Sequence, residues 1–171
     1  MTQQTPYRSV FYPGLLTGQV ILVTGGGSGI GRCTAHELAS LGAHVVLVGR
    51  NPDKLSATAQ EITGDGGQAS WHSCDIRREG DVQALVAQVV QQHGRIHGLV
   101  NNAGGQYISP LAKTSVKGWQ AVIDTNLKAA QGFLQGFLEG ATDGHDFADR
   151  LHLGGQAGVG FRELLEGETR D

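Results

Sequence analysis

The sequence predicts an α/β fold built on a parallel β-sheet. Three observations predict it. Short apolar runs alternate with stretches of helical periodicity, a glycine-rich turn joins the first run to the first helix, and the first three helices each end at a glycine. VILV (Val20 to Val23) is a compact apolar run, which suits a strand buried on both faces. Ser28 to Ser40 follows as a helix, with Gly42 as its stop. AHVVLVG (Ala43 to Gly49) reads as a second buried strand. Asn51-Pro52 supplies an N-cap and a first helical residue. That helix runs to about Thr63, and GDGG (Gly64 to Gly67) breaks it.

QASWHSCD (Gln68 to Asp75) is more polar and reads as a third strand nearer an edge. Val82, Leu85, Val86, Val89 and Val90 recur at helical spacing, and Gly94 ends that helix. IHGLVNN (Ile96 to Asn102) is the fourth strand. Trp119, Val122, Ile123, Leu127, Ala130, Phe133, Leu134, Phe137 and Leu138 keep one helical phase, with Trp119 read as a packing residue. Right-handed crossovers between these strands give the order 3-2-1-4. This is one half of a Rossmann-type doubly wound sheet plus one strand, and the second half is not evident after Leu138. His152 to Phe161 contains at most one weak strand. Three regions follow: an arm over 1–16, a nucleotide-binding half over 17–127, and a divergent glycine-rich tail over 128–171.

Composition narrows the class. A chain of 171 residues with net charge −3 and no basic run gives no sign of a nucleic-acid surface, and no apolar stretch reaches membrane-spanning length. The first residues lack a secretory layout. Cys33 and Cys74 form no CxxC and read as reduced structural thiols. The expectation is a cytoplasmic protein without a metal. His145 and His152, with Asp143, Asp146 and Asp149, match no zinc spacing and read as a solvated loop.

TGGGSGIG (Thr24 to Gly31) follows a buried strand and opens a helix, which is the context pyrophosphate binding needs. Gly25 allows the tight turn, Gly29 lets the backbone approach the ligand, and Gly31 lets the helix pack closely. Ser28 and Ile30 stand where the helix N-terminus offers free N–H groups. An NAD-binding chain should place an acid at the end of the second strand. Here VGRN stands instead, and Arg50 can pair with a 2′-phosphate, so NADP is preferred over NAD. Arg32 could assist or remain a surface residue.

With TGGGSGIG, NNAG (Asn101 to Gly104) and DTNL (Asp124 to Leu127) in this order, the chain resembles the short-chain dehydrogenase/reductases. The resemblance implies that Asp75 stands in the acid position beside the adenine. It also implies that Asn102, Ala103 and Gly104 line the cofactor, and that Asn126 is the asparagine of the catalytic tetrad. YRSVFYPGLLTGQVILVTGG, NNAGGQYISP and KGWQAVIDTNL are further similar to peroxisomal trans-2-enoyl-CoA reductases and bacterial citronellol/citronellal dehydrogenases. That narrower likeness covers about residues 7–127. It implies NADP-dependent chemistry on a small-molecule enoyl thioester, aldehyde or alcohol.

The same resemblance implies a Tyr proton donor, a Lys four residues later and a Ser. Such a Tyr must be tuned from a pKa near 10 toward working pH. Tyr7, Tyr12 and Tyr107 have no Lys four residues on, no Tyr follows Tyr107 and no Lys follows Lys128. The tail carries eight acids to four bases, with Gly132, Gly136, Gly140 and Gly144 at every fourth position. A glycine-faced dimer helix and an unspecified tail are both open readings. A changed reading frame or splice near codon 127, and a natural short relative, are both open origins. The expectation is an oxidoreductase inactive as this chain alone, or a non-catalytic NADP-binding module. An uncovered fourth strand also predicts self-association.

Overall fold

The computed structural model describes residues 9–134. The chain runs β1 (Val20–Thr24), α1 (Gly29–Ser40), β2 (His44–Gly49), α2 (Pro52–Gly64), β3 (Gln68–Ser73), α3 (Glu79–His93), β4 (Gly98–Val100) and α4 (Val116–Ile123). All strand pairs are parallel, in the order β3-β2-β1-β4. This is the expected α/β arrangement, with right-handed crossovers the general rule for such units.

The sheet separates two apolar layers because successive side chains on a strand point to opposite faces. Val20, Leu22, Val46 and Val48 pack with Val82, Val86 and Val89 of α3. Ile21, Val23, Val45 and Leu47 pack with Ala35 and Ala39 of α1 and with Leu55 and Ile62 of α2. Covered on both sides, β1 is buried throughout and β2 is buried except at its two ends, as their continuous apolar sequences require. β3 is the polar edge strand the sequence predicts, and none of its residues is fully buried.

The helix punctuation follows the residues. Asn51 caps α2 by accepting from the Lys54 N–H, and Pro52 occupies the first turn. Gly42 and Gly94 sit at φ +94° and +82°, beyond the ends of α1 and α3. The fourth strand is shorter than the predicted Ile96 to Asn102. The chain turns tightly after Val100, where the Asn102 N–H donates to the Val100 carbonyl, and Thr24 then holds the turned segment.

The segment from Trp119 departs from its predicted packing. A wide π-type turn, Asp124–Lys128, follows α4, and the Ala129 N–H donates to the carbonyl of Asp124 five residues back. The extra residue shifts the helical phase. Trp119, before this turn, is 60% exposed and not a packing residue, since α4 buries Gly118; within and beyond the turn Leu127 is exposed, and Ala129 and Phe133 take the buried positions. Among the described residues no strand lies outside β4. Phe137 and Leu138, Gly136, Gly140 and Gly144, the weak strand at His152 to Phe161, and His145 and His152 with their acids lie outside the described residues.

Candidate functional site: a cavity at the carboxyl ends of the strands

The strands of the sheet deliver their connecting turns to one end, and a cavity of about 350 Å³ opens there. Its walls come from the glycine loop (Gly25, Gly27, Ser28), the end of β2 (Arg50), the end of β3 (Asp75) and the turn after β4 (Ala103). Open α/β sheets present their ligand crevice in this position.

The glycine loop is held by β2: the N–H groups of Gly25 and Gly26 donate to the Val48 carbonyl at 2.7 and 3.4 Å. Gly25 sits at φ +70°, and a Cβ there would stand 2.7 Å from Asn102 Nδ2. Gly29, at φ +54°, has open space where a Cβ would project. Ser28 is the N-cap of α1 but makes no side-chain capping bond, and no acid lies in the first turn. The helix therefore presents its orphan N–H groups and positive end toward the loop. Ile30 is 79% exposed beside it. Gly31 faces inward, against the Gly25 carbonyl and the Asn102 side chain, so its small size joins the loop to the β4 turn.

Thr24 does not line the cavity. It is buried, and its hydroxyl donates to the Val100 carbonyl while accepting from the N–H groups of Asn102 and Ala103 at 3.0 and 2.9 Å. Asn102 returns the link by donating from Nδ2 to the Thr24 carbonyl at 2.9 Å. Thr24 and Asn102 thus form a latch behind the site, with Ala103 on the cavity side. Gly104 leaves room for Asn126, whose Oδ1 would stand 2.6 Å from a Cβ there.

Asn126 lies in the wide turn after α4. Its Oδ1 accepts from the Gly105 N–H at 3.2 Å, and its Nδ2 donates to the carbonyls of Gly105 and Val122 at 2.7 and 2.8 Å. Both ends of the amide are engaged by the protein's own backbone.

The charged residues divide. Arg50 is exposed at the cavity wall, and Lys54, one helical turn later, lines it with Asn51. Arg77, which sequence reasoning passed over, also lines it and grips Asp75 through two guanidinium bonds of 2.9 and 2.6 Å. That hydrogen bonding, chiefly, holds the Asp75 carboxyl down at about 2. Arg32, considered as a helper of Arg50, points elsewhere: its Nε pairs with Glu61 Oε2 at 2.7 Å across α1 and α2. Buried Cys74, between the core and the cavity, has its thiol pushed up to about 11, mainly by loss of solvent. It is therefore a protonated packing group. Lys54 stands four residues after Arg50 in the first turn of α2, and Arg77 two after Asp75; those spacings were the available signals.

Comparison with known proteins agrees with this architecture. The family model for short chain dehydrogenases matches residues 19–145. The chain belongs to the short-chain dehydrogenase family. The citronellol catabolism dehydrogenase of Pseudomonas aeruginosa PAO1 is 57% identical, with TM-score 0.75, over 79% of this chain and 55% of that one. A metagenomic short-chain oxidoreductase in complex with NADP is 43% identical, with TM-score 0.70, over 73% of this chain and 57% of that one. A fatty acyl-CoA reductase of Mycobacterium tuberculosis is 39% identical over 81% of this chain and 49% of its own length. The chain thus spans about half the length of the relatives it matches.

Proposed function

We propose that this chain supplies the NADP(H)-binding half of a short-chain oxidoreductase acting on an enoyl thioester, aldehyde or alcohol. The observation that carries the proposal is the convergence on one cavity of the side-chain-free glycine loop, the uncapped positive end of α1 and the exposed cation Arg50. The loop fits a pyrophosphate: Gly29 leaves open space, and a helix N-terminus favours anions. Arg50 would hold the 2′-phosphate, assisted by Lys54, and Asp75 and Ala103 would border the adenosine and the path toward the nicotinamide. The bound nucleotide would supply or accept the hydride. The NADP complex of the metagenomic relative and the names of the dehydrogenase and acyl-CoA reductase relatives support the cofactor and substrate classes.

A second reading applies to the chain by itself: a nucleotide-binding module without turnover. It is favoured by the lack of any Tyr with Lys four residues on, and by Asn126 spending its whole amide on Gly105 and Val122. Titration of the purified chain with NADPH and NADH separates the cofactors. Arg50→Asp is expected to weaken NADPH at least about tenfold while NADH changes little, since a charge-assisted pair is lost and an acid faces the phosphate. Equal effects on both would overturn the NADP assignment. Oxidation of NADPH by the chain with enoyl thioesters or aldehydes would overturn the second reading.

A further inference from the structure

Beside the cavity at the strand ends, and sharing its Asp75–Arg77 wall, lies a larger open groove of about 950 Å³. It runs between the turn that enters α3 and the residues of α4 and its wide turn. Small-molecule sites commonly enclose about 300–1,000 Å³. Four cations line the groove, Arg77, Arg78, Lys117 and Lys128, against two acids, Asp75 and Asp124.

Both acids are answered from within the groove. Arg77 donates to Asp75 from Nε at 2.9 Å and from Nη2 at 2.6 Å. Lys128 Nζ lies 3.1 Å from Asp124 Oδ1, which also accepts from Gln120 Nε2 at 2.8 Å. Arg78 and Lys117 are exposed and make no ion pair among the described residues. Arg78 stands at the N-cap of α3 without a side-chain capping bond. Glu79 and Asp81, in the first turn of α3, do not line the groove, and Glu79 accepts from Gln83 Nε2 instead.

The groove therefore holds a surplus of two positive charges, on side chains from two different elements. A guanidinium offers paired N–H groups and an ammonium a point charge, and the several oxygens of one phosphate can meet both. Val116, 86% exposed, and Ala121 add an apolar strip from α4, which suits a phosphate carried on an organic body. We propose that the groove is a second anion site, in which Arg78 and Lys117 hold an organic phosphomonoester other than the cofactor. Neither residue lines the strand-end cavity, so the inference does not require that cavity to take NADP(H).

The probe is radiolabelled adenosine 3′,5′-bisphosphate, offered to the whole chain in equilibrium dialysis. The comparison is made in the Arg50→Asp chain, so that the strand-end cavity does not compete for the phosphates. That chain is expected to bind the bisphosphate at least about tenfold more tightly than adenosine or inorganic phosphate. Adding Arg78→Gln and Lys117→Gln together is expected to weaken the bisphosphate about tenfold or more, the scale of lost bonds to charged groups. Both positions are exposed, so the variant should fold, and its circular dichroism and melting curve check this. Binding unchanged by the two substitutions overturns the proposal. Inorganic phosphate binding as tightly as the bisphosphate overturns the organic ligand. Binding by wild type that disappears in Arg50→Asp places the probe in the strand-end cavity; it overturns this proposal and leaves the cofactor reading standing.

Discussion

Asn126 shows how one side chain can be committed by its neighbours. Its amide has one acceptor and one donor group, and both meet the backbone of Gly105. Its second N–H takes the Val122 carbonyl, four residues back in a turn whose own bonding has widened to five. The wide turn therefore leaves fewer unpaired carbonyls than its geometry alone would, and such turns occur frequently at functional sites. Asn126→Ala is expected to destabilise the chain by ~1 kcal/mol, the scale of an ordinary hydrogen-bond loss at an exposed site. Amide exchange at Gly105 should speed up. Asn126→Asp should do no better, because a carboxylate repels the two carbonyls that the amide N–H groups now reach. A melting temperature and Gly105 exchange unchanged by both substitutions would contradict the clamp.

At the scale of elements, α3 and the edge of the sheet share a cluster of histidines. His44 at the start of β2 lies with its ring centroid 4.3 Å from that of His93 at the end of α3, and its Nε2 meets Ser70 Oγ at 3.0 Å. His72 on β3 has a buried Nε2 without a hydrogen-bond partner among the described residues. Burial, and secondarily the charge of His93, lower the pKa of both His44 and His72. The folded state thus binds fewer protons than the unfolded chain once pH falls below the unfolded value of about 6.5. Stability should be insensitive to these groups above that pH and should decline as pH falls through about 6.5 toward the lowered folded values. Thermal melts from pH 7.5 to 5 should show that decline, and His72→Phe should flatten part of it. A melting temperature that rises on acidification would contradict the assignment.

At the scale of the whole molecule, the two edges of the sheet among the described residues differ in character. Among the described residues β3 is a polar edge and no strand pairs with the outer side of β4, while Val116, Trp119 and Leu127 are each more than half exposed. Unpaired strand edges and contiguous apolar surface favour association. The chain is expected to show concentration-dependent oligomers or aggregates in sedimentation velocity at micromolar concentrations. A single monomeric species across that range would exclude it. No helix among the described residues is long and apolar enough to cross a membrane.

The sequence by itself determined the α/β class, the strand order, the helix stops and the glycine loop. These depend on local chemistry: apolar period, capping by Asn51, and positive φ at glycines such as Gly25. It also placed Arg50 and Asp75 at strand ends, because a parallel sheet sends every strand end to the same side. Only the tertiary structure decided the division of labour among those residues. Thr24 and Asn102 became a latch behind the cavity and Arg32 was taken by Glu61, while Arg77 was joined to Asp75 and Lys54 was set beside Arg50. The exposure of Leu127 and the burial of Ala129 and Phe133 were likewise decided by the widened turn. Long side chains choose partners through space, and one added residue in a helical turn rotates everything after it; neither effect is written in local pattern.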